Sequence, residues 1–287
     1  MATTSLFPEQ SGGPARWPCR GGGSDHRSSR PVEAPGSTTL EAMTTYVWTD
    51  GTFCPVDEPL GPIRVADSWR QSDGRIRRLD LHRERFAREV GKLGVHRDGA
   101  AMVDAAVRLV PDAGDWFPRV RLVGDALYLD LRRGPERRRT ASVRVLGKGD
   151  PRSHPRVKGP DLAAGTDLIR AANADEVLIR DRSGVVLEAA HSAVVWWDDD
   201  VLCVPTLGLA VLRSVTRQIV EEHARDRDIE VCGVTAQLSE LDGREAWLLN
   251  AYQGLRLVTS WEGVDISAGG GVRFPTWRDA VENSATS

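Results

Sequence analysis

Three features of the segment 150–217 could serve one reaction: a lysine, a glutamate and the start of a helix. Lys158 follows a loop rich in proline and arginine, and a lysine amine can form a Schiff base with an aldehyde. Glu188 ends the apolar run VVLE, where a carboxylate could keep a nearby pyridine nitrogen protonated. Val215 and Thr216 open a helical pattern, and the first N–H groups of a helix favour a phosphate. Together these groups predict a site for pyridoxal 5′-phosphate (PLP).

Each of these residues also has an ordinary structural interpretation. A lone lysine usually lies at the surface, and a solvated glutamate often marks the end of a strand. Thr216 could simply cap its helix. The order of the three features along the chain is what favours a shared pocket.

Candidates for substrate contact lie on both sides of this segment. Arg119 and Arg121 alternate onto one face of a predicted strand, where their planar guanidinium groups could bind a carboxylate or lie in solvent. His191 could face the cofactor or the outer side of its strand. The pair Trp196 and Trp197 is expected to place one ring in the core and one at the surface, because side chains alternate along a strand.

The composition limits the class of protein. The 287 residues are 40% hydrophobic and 28% charged, which is enough for a sizeable core. The net charge of −3 gives no bulk attraction to nucleic acid or to an anionic membrane, and no apolar run approaches the roughly 20 residues of a membrane span. The four cysteines have no CxxC spacing, which favours reduced thiols, no metal site and a cytoplasmic protein.

Residues 1–42 differ from the rest of the chain. They are rich in glycine, proline and serine and have no hydrophobic periodicity, so we expect a disordered leader. The segment lacks the apolar region of a secretory signal. Met43 could be the natural start.

The sequence after residue 42 predicts two domains. Residues 43–145 read as a small α/β domain with a hairpin at Asp50-Gly51 and helices near 81–93 and 98–110. Residues 150–287 read as a larger cofactor-binding domain with a helix at 216–225. The last residues, 279–287, are expected to fray.

The order of these segments resembles the class IV aminotransferases, the fold-type IV group of PLP enzymes. That group includes branched-chain and D-amino acid aminotransferases and 4-amino-4-deoxychorismate lyases. The resemblance covers residues 46–262 and depends on five segments: His82-Arg83-Glu84-Arg85-Phe86, RVKGP around Lys158, GVVLEAA around Glu188, Ser214-Val215-Thr216-Arg217, and Asn250-Ala251-Tyr252-Gln253-Gly254.

The resemblance implies a fold and a set of roles. The fold would be a mixed α/β (α+β) one, with a small N-terminal α/β domain and a larger C-terminal domain containing a barrel-like mixed sheet. Lys158 would be the catalytic Schiff-base lysine, and the partner would be a second copy in a homodimer. The cofactor-binding residues would be Arg85, Glu188, Val215, Thr216, Asn250 and Ala251.

Some positions depart from the family pattern. Ala193 stands where the family usually has asparagine, Ser214 replaces a glycine, and Asp67-Ser68-Trp69-Arg70 replaces Glu-Thr-Leu-Arg. Cofactor anchoring is retained, whereas the substrate-facing groups differ. Three functions stay open: an aminotransferase acting on an amino acid/2-oxo acid pair, a 4-amino-4-deoxychorismate lyase releasing pyruvate, and a non-catalytic binding protein with this fold.

Overall fold

Residues 43–286 are described by a computed structural model, so the prediction for residues 1–42 lies outside the described part. A short 3₁₀ helix spans Leu238–Leu241. The α-helices are α1 Leu79–Lys92, α2 Gly99–Leu109, α3 Leu162–Ala172, α4 Val215–Arg225 and α5 Phe274–Asn283. The strands are β1 Thr44–Thr49, β2 Thr52–Val56, β3 Ile63–Ser68, β4 Gln71–Ser72, β5 Arg75–Arg77, β6 Asp115–Trp116, β7 Arg119–Val123, β8 Ala126–Leu131, β9 Thr140–Val145, β10 Glu176–Arg180, β11 Val186–Ala189, β12 Ala193–Asp198, β13 Val201–Pro205, β14 Val231–Val234, β15 Ala246–Asn250, β16 Gly254–Glu262 and β17 Ala285–Thr286.

The first sheet is antiparallel and has the order β2-β1-β8-β7-β3. Asp50 and Gly51 join β1 to β2 with φ values of 50° and 83°, the positive values that a two-residue hairpin turn requires. Helices α1 and α2 cover one face of the sheet, and Phe86 and Met102 are fully buried there. The predicted hairpin and both predicted helices are therefore confirmed.

The second sheet has eight strands in the order β11-β10-β9-β16-β15-β12-β13-β14 and mixes parallel with antiparallel pairs. It curls into a half-barrel, which confirms the predicted fold class. Strand β9 belongs to this sheet, although its residues fall at the end of the range 43–145.

Both faces of the eight-stranded sheet are covered. Trp196 belongs to one apolar cluster and Trp197 to another, and only 2% and 4% of the two residues are exposed. The second cluster contains side chains of α4 and α5, which shield the face carrying Trp197 from solvent. The prediction that one tryptophan lies at the surface was therefore wrong, because a sheet covered on both faces buries alternate residues equally.

The end of the chain is part of the fold. Trp277 and Val281 of α5 are buried against the sheet, and β17 pairs with β5 through Ala285↔Arg77 and Thr286↔Ile76. A small third sheet results, with the order β17-β5-β4-β6. The expectation that residues 279–287 fray was wrong for the described positions up to 286.

The loop between β9 and α3 joins the first sheet to the second. The N–H of Ala66 in β3 donates to the carbonyl of Lys158 in this loop over 2.7 Å. Asp161 accepts the N–H groups of Ser153 and His154 over 3.0 and 2.7 Å, which braces the loop from inside. None of the helices between residues 43 and 286 is long and apolar enough to cross a membrane.

Candidate active site

A cavity lies beside the loop that carries Lys158. Elements from across the sequence form its wall: α1, the loop before α3, the end of β11, the start of α4 and the turn between β15 and β16. The structure brings eight predicted residues together there: Arg85, Lys158, Glu188, His191, Val215, Thr216, Asn250 and Ala251.

A second cavity shares lining residues with the first. Lys158, His191 and Asn250 line both cavities, as do Leu162 and Ala251. Lys158 therefore lies on a wall common to two spaces. A molecule bound in the first cavity and another in the second could both reach its amine.

The environment of Lys158 makes its amine easier to deprotonate. Burial lowers the pKa of Lys158 to about 8, and the positive charges of Arg85 and Arg132 act in the same direction. The carboxylates of Asp67 and Glu188 oppose them. Because only the uncharged amine attacks a carbonyl, this shift increases the reactive fraction near neutral pH.

The Glu188 carboxyl is buried and held from two sides. Both of its oxygens accept from the N–H of Leu212, at 3.2 and 3.1 Å, and Oε1 also accepts from Nη1 of Arg152. Burial raises the pKa of Glu188 to about 7, whereas Arg152 and the Leu212 N–H favour the ionised form. Glu188 therefore changes charge near neutral pH.

Arg152 is a functional candidate that the sequence analysis did not identify. Its guanidinium is held by Asp150 through two 2.8 Å bonds and by the carbonyl of Ala210 at 2.7 Å. Only its place in an arginine-rich loop was visible in the sequence, since its pairing with Glu188 joins residues 36 positions apart.

The start of α4 provides N–H groups for an anion. The Oγ of Ser214, the residue that replaces the family's glycine, accepts from the N–H of Arg217 over 3.3 Å and caps the helix. Val215 and Thr216 belong to the first turn, whose N–H groups have no partner within the helix. Their N–H groups therefore suit a phosphate.

Arg85 lies on the wall of the same cavity and is fixed by Asp67. Its Nε and Nη2 donate to the two oxygens of Asp67 over 2.7 and 2.8 Å, and Nη1 donates to the carbonyl of Arg213 over 3.1 Å. Nδ1 of His82 lies 2.8 Å from the same carboxylate. Burial opposes ionisation of Asp67, but Arg85 and His82 outweigh it and hold the pKa of Asp67 well below its usual range.

The two predicted substrate arginines lie in different environments. Arg121 is 2% exposed, lines neither cavity, and forms ion pairs with Asp130 and Glu58, each 2.8 Å long. Its surroundings therefore fit a structural ion pair, and we leave it out of the proposed site. Arg119 lines the second cavity, and its Nε donates to Asp130 over 2.6 Å.

Arg132 is a second functional candidate that the sequence analysis missed. It lines the second cavity, donates from Nε to the carbonyl of Phe117 over 2.9 Å, and lies 4.4 Å from the centre of that ring. No carboxylate within residues 43–286 forms a salt bridge with it. Burial lowers the pKa of Arg132 to about 10, and Arg119 and Arg121 add to this effect. A partly buried cation without a bonded anion loses hydration that nothing replaces, so this position favours an anionic ligand.

His191 lies where the two cavities meet. Its Nε2 is 3.1 Å from Oγ1 of Thr166, and its backbone N–H donates to Glu176 over 2.9 Å. Glu176 also accepts from Ser192 over 2.9 Å and from Arg256 over 2.8 Å. Burial lowers the pKa of His191. The side chain is thus a neutral wall of both cavities near Lys158.

Comparison with known proteins identifies the family. The sequence profile described as "Amino-transferase class IV" matches residues 64–261, more than half of the 287-residue chain. The chain belongs to the class IV aminotransferase family, as the sequence resemblance predicted. A comparison with curated protein sequences gave no match.

Solved structures share the fold. A hypothetical aminotransferase from Mycobacterium tuberculosis in its PLP-bound form is 19% identical, covering 84% of this chain and 98% of that one, with a TM-score of 0.71. The fold IV-transaminase CpuTA1 from Curtobacterium pusillum is 20% identical, covering 83% and 97%, with a TM-score of 0.68. A putative 4-amino-4-deoxychorismate lyase from Legionella pneumophila is 13% identical, covering 79% and 96%, with a TM-score of 0.65. At these identities the similarity shows the fold alone.

Proposed function

We propose that this protein is a PLP-dependent aminotransferase acting on an amino acid/2-oxo acid pair. One observation carries the proposal: Lys158 lines both of two adjoining cavities. The first cavity contains the groups that suit the cofactor. The second is lined by a partly buried arginine, Arg132, that suits the carboxylate of a substrate.

The residues of the first cavity fit PLP. The amine of Lys158 matches the aldehyde, the buried carboxyl of Glu188 matches the pyridine nitrogen, and the start of α4 matches the phosphate. Arg85 adds a guanidinium that Asp67 already holds in place. When bound, PLP supplies an electron sink for negative charge that develops at the substrate Cα.

The chain's own residues would perform the remaining work. The Lys158 amine, with its pKa of about 8, can both accept and return a proton at the substrate Cα near neutral pH. Glu188 would hold a proton at the ring nitrogen, and Asn250 and Ala251 would form part of the wall around the cofactor. His191 would help to exclude water between the two cavities.

Arg132 would bind the substrate carboxylate. Its side chain is partly buried, lines the second cavity and has no bonded carboxylate in the described chain, so an incoming carboxylate would supply the missing charge. Phe117 holds the guanidinium in place through its ring and its carbonyl. Arg119 lies on the same cavity wall but already donates to Asp130.

Substitution of Arg132 tests this assignment. Loss of a charged hydrogen bond should raise KM for the 2-oxo acid in Arg132→Gln by about 10- to 100-fold. The matched control is Arg97→Gln, since Arg97 is exposed and touches neither cavity. Steady-state kinetics with both substrates varied gives the two constants. An unchanged KM in Arg132→Gln, with the control also unchanged, would remove Arg132 from the site.

Absorbance spectroscopy tests the reaction itself. Purified protein mixed with PLP should develop a band at about 410–420 nm that is lost in Lys158→Ala. Amino donors should then abolish the band, and a 2-oxo acid should restore it. Absence of any band would contradict cofactor binding. Release of pyruvate from aminodeoxychorismate, with no response to amino donors, would contradict the aminotransferase proposal and support a lyase.

We also propose that the protein is a homodimer, as the family resemblance implies. The chain mass is 31.4 kDa, so sedimentation should give about twice that value. A species with the mass of one chain at micromolar concentration would contradict this assembly.

A further inference from the structure

The C-terminal helix α5 reaches the turn that closes both cavities. Glu282, near the end of α5, accepts from three guanidinium groups that come from distant parts of the chain. The distances are 3.0 Å to Nη1 of Arg70, 2.9 Å to Nη1 of Arg77 and 2.5 Å to Nη2 of Arg137. One carboxylate thus holds three cations in a fixed arrangement.

Two of these arginines also donate hydrogen bonds to the turn between β15 and β16. Nη2 of Arg77 donates to the carbonyl of Ala251 over 2.7 Å, and Nη2 of Arg137 donates to that of Gln253 over 3.0 Å. Arg278, also on α5, donates to the carbonyls of Gln253 and Leu255. The backbone of this turn is therefore held by groups that α5 supplies or orients.

Glu282 also lies close to the turn. Gly254 has a φ of +69°, and a Cβ built on it would lie 2.7 Å from Oε1 of Glu282. On the cavity side, the N–H of Gln253 donates to Oδ1 of Asn250 over 2.7 Å, and Nδ2 of Asn250 donates to Ser192 over 3.0 Å. Displacing the Glu282 carboxylate would therefore change the position of Asn250.

The charges make Glu282 essential to this arrangement. Burial opposes its ionisation, but Arg77 and Arg137 outweigh burial and lower the pKa of Glu282. Burial lowers the pKa of Arg77, and its neighbours Arg137 and Arg70 add to that effect, with Glu282 opposing them. Without the carboxylate, guanidinium groups that now share one anion would repel each other.

We propose that Glu282 is a positioning residue for the turn 250–254, acting through Arg77 and Arg137 on the backbone that walls the cofactor and substrate cavities. The proposal rests on the proposed function only in assigning those cavities to PLP and substrate. The C-terminal helix thereby becomes a part of the site that no sequence motif indicates.

Hydrogen–deuterium exchange in the full chain tests the positioning without reference to any ligand. Amides of residues 250–257 should exchange about tenfold faster in Glu282→Gln, the loss expected for a charged hydrogen bond. Asp279→Asn is the matched control, because Asp279 is an exposed carboxylate on the same helix. Glu282→Asp keeps the charge and should restore part of the protection, which also covers the case in which Glu282→Gln fails to fold. Unchanged exchange in both Glu282 variants would overturn the proposal.

PLP titration tests whether this position matters to the site. The dissociation constant for PLP should rise about tenfold in Glu282→Gln, less in Glu282→Asp and not in Asp279→Asn. Faster exchange with an unchanged dissociation constant and unchanged KM would overturn the assignment to the site. Failure of the unsubstituted protein to bind PLP is a different result: it contradicts the proposed function and leaves the exchange test standing.

Discussion

Lys158 illustrates how the fold changes the chemistry of one side chain. An exposed lysine titrates near 10.4, but here burial and two nearby guanidinium groups bring the pKa to about 8. Because the folded protein disfavours the charged amine, the uncharged form predominates above that pH. The rate of reaction with PLP should therefore rise with pH through a midpoint of about 8. Stopped-flow absorbance between pH 6 and 10 measures this rate, with Nα-acetyl-lysine as the reference. A midpoint above pH 10 would show that the Lys158 amine is not buried beside guanidinium groups.

Arg152 should control the charge of Glu188. Burial raises the pKa of Glu188, the Arg152 guanidinium favours its ionised form, and Asp150 opposes that ionisation, with Lys158 as the other charged neighbour. In Arg152→Gln the pKa of Glu188 should therefore move above its present value of about 7, and the carboxyl should be protonated over a wider pH range. Carbon-13 NMR of the glutamate carboxyls in the PLP-free protein follows this titration directly.

The control for that measurement is Arg156→Gln. Arg156 lies in the same loop but is exposed, and within residues 43–286 its side chain donates to the carbonyls of Gly208 and Leu209 and to no carboxylate. A Glu188 titration that does not move in Arg152→Gln would show that burial alone sets its charge.

The sequence indicates some of these residues and not others for a physical reason. Lys158 and Glu188 were predictable because each lies in a local pattern with a recognisable order. Arg132 and Arg152 were not predictable, because the role of an arginine depends on which carboxylates and carbonyls lie beside its guanidinium in the folded chain. The ion pair of Arg121 was not predictable for the same reason, since its partner Asp130 comes from the neighbouring strand.

Among the elements, the loop before α3 packs tightly against strand β3. Gly159 has a φ of +139°, and a Cβ there would lie 2.9 Å from backbone atoms of Val65 and Ala66 in β3. Since backbone cannot move aside cheaply, Gly159→Ala should destabilise the fold by about 1–3 kcal/mol and displace Lys158. Chemical denaturation measures the first effect, and PLP titration measures the second.

Gly147→Ala is the matched substitution in the same loop. A Cβ at Gly147 meets nothing within 4 Å, so its stability should change little. Equal stability for the two variants would mean that the loop does not lie against β3 as described.

At the scale of helices and strands, hydrophobic periodicity predicted the elements that have a long apolar stripe. Helices α1, α2 and α4 were found within two residues of their observed ends. Helix α5 was missed because its buried residues, including Phe274, Trp277 and Val281, are interspersed with polar ones and followed by small residues. Strand β17 has two residues, and only its pairing with β5 defines it.

For the molecule as a whole, the site is a product of the entire fold. Its cavity wall draws on residues from His82 to Ala251, so no short segment could form it alone. The sequence predicted that these segments meet, because their order matched a known family. It did not predict that α5 and the carboxyl end of the chain support the same site, since those contacts join residues more than 140 positions apart.

The aromatic cluster under α5 provides a test of this global dependence. Trp277 is buried, and its ring centre lies 5.2 Å from that of Trp197 and 5.4 Å from that of Trp247, both in the eight-stranded sheet. Trp277→Ala should lower the free energy of unfolding by about 3–5 kcal/mol, because a large cavity would replace the ring. Leu60→Ala is the control: Leu60 is 96% exposed and its truncation should change stability by less than about 0.5 kcal/mol. Urea unfolding followed by circular dichroism compares them, and similar midpoints for the two variants would mean that α5 is not packed onto the sheet.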